Sequence, residues 1–264
     1  TFGEEDGLSG GTWTPQNSDG KYSYQNMKMR RAMGLSINSI SAKLMKQLGP
    51  DKIAEFAHKC GIESPLHEVP SLCLGASEVS LFEQVSGYST LANGGEKIDP
   101  ILVLRITDKV GNVLREYSPP VKAAIKPETA YLMTYMLQGA VQEPGGTAEG
   151  LKRTSIVAGN EIGAKTGTTS NYSDGWFMGV TQKLVAGVWV GGDDRSIHFR
   201  SLALGQGAKM AMPAYAKFME KVYADQTLAI EGYRKMPFIK PENFAFDFSC
   251  NGRVAVDSTA TIAP

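Results

Sequence analysis

Ile162-Gly163-Ala164-Lys165-Thr166-Gly167-Thr168, Gly175-Trp176-Phe177-Met178-Gly179-Val180 and Leu184-Val185-Ala186-Gly187-Val188-Trp189-Val190-Gly191 follow one another with only short connections between them. Their β-branched and aromatic content predicts three strands, Ile162–Thr168, Gly175–Val180 and Leu184–Gly191. Thr181-Gln182-Lys183 is a tight turn between the last two, and short connections make neighbouring strands antiparallel. The flanking sequence reads mostly as helix. Ile37, Ile40, Leu44, Met45 and Leu48 recur at spacings of three and four, after a short helical pattern from Met27 that breaks at Gly34. Gly49-Pro50 stops that helix, and Asp51 is expected to cap the next, which carries Ile53, Phe56 and Ala57 and closes near Gly61. Further helices are predicted over 79–92, 126–141 and 212–224, the last with Pro213 in its first turn. Ile101–Ile106 and Asn112–Tyr117, joined by a turn around Asp108–Gly111, read as a hairpin. Helices packed on an antiparallel sheet make the fold class α+β. Residues 1–25, rich in Gly, Ser, Asn and Thr, read as loop.

Bulk composition excludes several classes of function. Lys plus Arg and Asp plus Glu both number 27, so no net charge draws the chain to nucleic acid. No apolar run approaches the ~18 residues a membrane helix needs, and the N-terminus is no signal peptide. Thr1 reads as an internal cut. The three cysteines (Cys60, Cys73, Cys250) have no zinc-like spacing and read as separate thiols, although Cys60 and Cys73 are able to pair in an oxidising compartment. His58, His67 and His198 lie far apart and support no Ser-His-Asp triad. Neither a metal nor a cofactor is expected.

The chemistry is expected at Lys165-Thr166-Gly167-Thr168-Thr169. An ammonium supports a carboxylate or a developing oxyanion, neighbouring hydroxyls donate to the same anion, and Gly167 lets a ligand backbone lie close. A lone triplet of this kind is common in surface strands. The stretch from Gly159 to Thr166 has a phosphate-loop look, but that loop requires Gly directly before the Lys and a helix after it. Here Ala164 holds that place and a strand follows. Upstream, Ser36-Ile37-Asn38 sets a hydroxyl and an amide two apart at a helix junction. The pair suits either a proton relay with an amide holder or an ordinary helix cap.

Other segments add to these. Trp13-x-Pro15-x-Asn17, Arg30-x-Ala32-Met33-x-x-Ser36-x-Asn38, Leu74-Gly75-Ala76-x-Glu78-Val79, Tyr88-x-x-x-Ala92-Asn93-Gly94-Gly95 and Gly146-Thr147-Ala148 precede the run from Lys165 through Asp174–Gly179 to Val188–Gly191. Together, and in this order over roughly residues 12–224, they resemble the class A penicillin-binding proteins, whose SxxK, SxN and KTG motifs form one active site. One departure is Gln25, where that family commonly has Gly.

The resemblance implies a transpeptidase fold of the serine β-lactamase type. It implies a D,D-transpeptidase that cross-links D-Ala-D-Ala stem peptides of peptidoglycan through a serine acyl-enzyme, with β-lactams as mimics. By motif, Ser36 would join the proton relay, Asn38 would hold the substrate amide, and Lys165 would serve both relay and carboxylate. Thr166 and Thr168 would bind the carboxylate, the Thr168 N–H would supply half the oxyanion hole, Gly167 would align the substrate, and Thr169 would line the same site. The nucleophile of the SxxK motif is expected N-terminal to the Trp13–Asn17 loop, and so outside this sequence. Ser18-Asp19-Gly20-Lys21 matches SxxK literally, but Asp-Gly is a turn pair and the motif works only with Ser and Lys one helical turn apart. Residues 1–225 are thus expected to be the C-terminal part of the transpeptidase domain, and 226–264 an extension. The parent is expected to be membrane-anchored and to act on the extracytoplasmic face. A non-catalytic sensor or scaffold is the alternative, and a β-lactamase finds no deacylating glutamate motif.

Overall fold

The computed structural model describes residues 1–248 apart from Gly7, Ser9, Asn243 and Asp247, so Cys250 and the last part of the predicted extension lie outside the described residues. An N-terminal loop, bridged once between Phe2 and Trp13, leads into helices α1 (Met29–Gly34), α2 (Asn38–Leu48) and α3 (Pro50–Cys60). After α4 (Leu81–Ala92) come the short strands β1 (Glu96–Ile98), β2 (Arg105–Thr107), β3 (Val113–Glu116) and β4 (Val121–Ala123). The helices α5 (Pro127–Leu137) and α6 (Gly139–Gln142) follow. The C-terminal half holds β5 (Gly163–Thr168), β6 (Asp174–Val180) and β7 (Val185–Gly191). It ends with α7 (Leu202–Gly205), α8 (Gly207–Met210), α9 (Met212–Ala224) and α10 (Gln226–Ile230).

The predicted three-strand run forms one antiparallel sheet in the order β5-β6-β7, which leaves β5 as an edge. Strand alternation gives each face its own partner. Ala164, Phe177, Ala186 and Val188 face α9, where the Phe177 and Tyr215 rings lie 4.8 Å apart within the main core. Lys165, Met178 and Gly187 occupy the opposite face, where a Cβ at Gly187 would lie 2.8 Å from Leu81 of α4. The sheet is therefore covered on both sides by helices, and its edge strand stays open at the end where Thr168 sits.

Local chemistry sets the boundaries. Helix α4 starts two residues later than read because Ser80, at its N-cap, forms a capping box with Glu83. Hydrogen bonds from Ser80 and Ser64 pull the Glu83 carboxyl down to about 2. Asp51 is not the cap of α3: Gly49 is, and Pro50 takes the first position, where a missing N–H costs nothing. The helix read over 126–141 divides at Gln138. The hairpin is shorter than its sequence suggested, because the Tyr117 N–H donated to Leu104 O is its last rung. It is exposed on both faces. Beyond α10 the chain returns over the body, where Glu161 N–H bonds Met236 O and Phe238 is buried beside Leu137 and Val180. Cys60 and Cys73 are free thiols. Among the described residues no helix is long and apolar enough to cross a membrane.

Gly179 shows how tightly α9 is set on the sheet, since a Cβ there would lie 2.2 Å from Tyr215 Cζ. Gly179→Ala is expected to cost about 1–3 kcal/mol through overpacking. Urea denaturation should show a lower midpoint with an unchanged slope, and an unaltered midpoint would mean the Tyr215 ring yields freely.

Candidate active site

Helix α1 ends in a Schellman turn. Ile37 N–H bonds Ala32 O and Ser36 N–H bonds Met33 O, each at 3.0 Å, and Ser36 itself takes φ +54°. Glycine is the usual occupant of that left-handed position, and a β-carbon there is costly, on the order of 1 kcal/mol or more. The serine has a reason to be there. Its hydroxyl meets Lys165 Nζ at 2.7 Å, across 129 residues of sequence.

Lys165 projects from β5 toward α1, and its ammonium also donates to Thr166 O at 2.8 Å. Burial pushes it down to about 8 from an ordinary 10.5, because the site withholds the water that stabilises the charged form. An amine titrating there can take up or give up a proton near neutral pH. Ser36 and Lys165, read as separate motifs, thus form one hydrogen-bonded pair.

Asn38 opens α2. Its Nδ2 donates to Gln16 O at 2.8 Å, while no bond to its Oδ1 exists among the described residues. The loop that supplies Gln16 is fixed by the buried Asn17, which accepts from Ser39 N–H at 3.0 Å and donates to Lys21 O. Asn17 therefore caps α2 from a distant loop, a role the Trp13–Pro15–Asn17 pattern did not announce. It also puts Ser18–Lys21 in a turn, which disqualifies the literal SxxK match.

On β5 the alternation separates two tasks. Lys165 and Gly167 lie on the α1 side, and Thr166 and Thr168 lie on the α8 and α9 side. Because Thr169 N–H donates across to Asp174 O, the Thr168 N–H is turned to the open edge. The Thr168 hydroxyl oxygen accepts from Gly207 N–H at 3.0 Å, which leaves its proton available to a ligand. Gly207, ahead of the Pro213 helix, was missed in the sequence, where only its nearness to Gly205 marks it. Gly167 has Trp176 as cross-strand neighbour, 3.0 Å from where a Cβ would stand, so its bareness also seats that ring. The Thr169 Oγ1 accepts from Ser173 and Asp174 N–H and lies 3.1 Å from Ser173 Oγ, so this hydroxyl also braces the β5–β6 turn. Among the described residues no cluster of His, Cys, Asp or Glu is arranged to hold a metal.

Residues 2–196 match the penicillin binding protein transpeptidase domain family. The chain belongs to that family. Penicillin-binding protein 1A of Aquifex aeolicus is 31% identical over 252 residues, which cover 94% of this chain and 33% of that protein. Penicillin-binding protein 2D of Bacillus subtilis is 33% identical over 213 residues, 80% of this chain and 30% of that one. The solved penicillin-binding protein 1A of Haemophilus influenzae superposes at a TM-score of 0.73 with 26% identity, covering 87% of this chain and 37% of that one. PonA1 of Mycobacterium tuberculosis, solved with penicillin V, shares the fold at a TM-score of 0.67 and 22% identity, over 86% of this chain and 62% of that one. The chain spans about a third of the length of the curated relatives it matches. The class A resemblance read from the motifs agrees with these relatives, and the α+β fold is that of the penicillin-binding transpeptidases.

The depressed Lys165 has a consequence for stability. Its folded pKa lies below its unfolded value, so between about pH 8 and 10.5 the unfolded chain binds the extra proton. Stability contributed by this group should rise across that window and be lowest below it. Lys165→Met should remove the pH dependence and make the chain more stable at pH 7, read from thermal melts at pH 7 and pH 10. A variant less stable than the parent at pH 7 would show that the ammonium is not a net cost.

Proposed function

We propose that this chain is the substrate-binding and relay side of a peptidoglycan D,D-transpeptidase that works through a serine acyl-enzyme, with the nucleophile outside the chain. The observation that carries the reading is the 2.7 Å contact of Lys165 Nζ with Ser36 Oγ beside an open edge strand. In the first step the serine oxygen bonds the carbonyl carbon of the penultimate D-Ala. The peptide C–N bond breaks, and the serine proton passes to the departing D-Ala amine. An acceptor amine from a neighbouring strand then forms the new amide, the ester C–O bond breaks, and the proton returns to the serine.

Ser36 and Lys165 would carry the proton between nucleophile and amine, an arrangement suited to an amine titrating near 8. Asn38 would take the substrate amide N–H on its free Oδ1. The Thr168 N–H, directed to the strand edge, would donate to the developing oxyanion. Thr166 and Thr168 hydroxyls, with the Lys165 charge, would hold the terminal carboxylate. β-Lactams would present the same carbonyl and carboxylate and stay attached as esters. The reaction belongs on the extracytoplasmic face of the membrane, where peptidoglycan lies, and an anchor would come from the longer parent. A domain that binds peptidoglycan or penicillin without turning it over is the competing reading.

The intact mass after incubation with excess benzylpenicillin separates these readings. The protein at its full natural length should gain one drug molecule, and this 264-residue chain alone should gain none. In the full-length protein, Ser36→Ala should acylate roughly 100- to 10,000-fold more slowly, the usual worth of a positioned proton carrier. A covalent adduct on the chain alone would place the nucleophile inside it. A full-length protein that binds the drug without an adduct would favour the sensor.

A further inference from the structure

Ser36 sits at a position that glycine fills after most helices of this kind, and its left-handed backbone persists only if its surroundings hold it there. The strongest hold on α1 comes from Arg30. Its Nε donates to Tyr135 O at 3.2 Å, its Nη1 pairs with the Glu143 carboxylate, and its Nη2 bonds Gln142 Oε1. The guanidinium carbon also lies 4.7 Å from the centre of the Tyr135 ring. These partners belong to α5, α6 and the residue just after α6. Arg31 reaches the same Glu143 at 3.5 Å.

The backbones beneath this clamp are in close contact. A Cβ on Gly34, one turn after Arg30 and on the same helix face, would lie 2.6 Å from the Gly139 carbonyl. One on Gly139 would lie 2.6 Å from Arg30 O. Thr147 N–H closes the end of α1 by bonding Gly34 O at 3.0 Å. With one face pinned to α6, α1 cannot turn about its axis without breaking several of these contacts together. Ser36 hangs from the far end of that six-residue helix.

We propose that Arg30 is a positioning residue: its fork on Tyr135, Gln142 and Glu143 fixes the rotation of α1 and so keeps the Ser36 hydroxyl within hydrogen-bonding reach of Lys165. The inference rests on the reading of Ser36 and Lys165 as the relay pair. Arg30 acts through the serine and touches no reacting atom. A planar five-donor fork suits the task, because a lysine at that position would satisfy only part of the set from one point charge.

The test uses the full-length protein and benzylpenicillin, with the pre-acylation dissociation constant separated from the acylation rate constant by stopped-flow. Arg30→Lys keeps the charge and loses the fork, and Glu143→Gln loosens the clamp from the other side while keeping an acceptor. Both should lower the acylation rate constant, by roughly 10- to 100-fold for Arg30→Lys, as expected when a reacting group is misplaced by about 1 Å. The dissociation constant should stay within about threefold, on the same grounds that only the relay geometry moves. Loss of rate in proportion to the fraction unfolded, with both constants affected alike, would make Arg30 a fold-stabilising residue only and overturn the proposal. Wild-type acylation by both variants, beside a slow Ser36→Ala, would overturn the clamp and leave the relay standing. Wild-type acylation by Ser36→Ala would remove the relay, and the proposal with it.

Discussion

Everything in this structure is arranged around the cost of holding an ammonium next to a serine hydroxyl away from water. Lys165 is on an edge strand and Ser36 on a helix junction 129 residues earlier, so their 2.7 Å contact is a tertiary constraint on both halves of the chain. A charge withdrawn from solvent disfavours folding, and here it has no carboxylate partner among the described residues. The fold supplies the compensation elsewhere. Helices cover both faces of the β5–β7 sheet, and Phe177 and Tyr215 form the centre of a core that keeps β5 straight and fixed. The site is destabilised locally and supported by a closely packed scaffold, which is a common exchange at functional sites.

The edge strand converts that rigidity into chemistry. Alternation along β5 sends Lys165 to the α1 side and Thr168 to the α8 and α9 side, while the Thr168 N–H points to the open edge. A ligand aligned with the strand would meet an ammonium, a hydroxyl and an amide N–H from adjacent residues, with spacing set by the pleat. Thr168 is itself anchored by Gly207 N–H, and Thr169 also braces the following turn. On the proposed reading, a short polar sequence thus divides between groups that would face a ligand and groups that hold them in place.

That division explains what the sequence disclosed and what it withheld. The strands over 162–191 and the helices around Ile37–Leu48, 81–92 and 212–224 were readable, and the motifs single out Lys165, Ser36 and Asn38 as candidates, because periodicity and motif order are local properties. The caps were harder. The Ser80–Glu83 capping box sets the start of α4, and Gly49-Pro50 rather than Asp51 sets that of α3, each boundary having a simple chemical cause. The contacts of Asn17 with Ser39 and of Gly207 with Thr168 were hidden, since both are made by backbone N–H groups. Any residue but proline carries such a donor, so sequence cannot single one out.

Thr169 shows the same limit from the opposite direction. Its neighbours in the motif suggest a third hydroxyl for the ligand, and the turn geometry adds that its oxygen also accepts from Ser173 and Asp174 N–H. Ser36 is the instructive contrast. At its left-handed φ a glycine would be favoured, so a residue chosen for stability alone would lack the hydroxyl that Lys165 meets. A serine that breaks the local rule, at a junction pinned by Arg30 and Gly34, is what the proposed relay would require, chemistry overruling conformational preference. Tyr24 and Tyr172 share its left-handed backbone, so it is the angle together with the Lys165 contact that sets Ser36 apart.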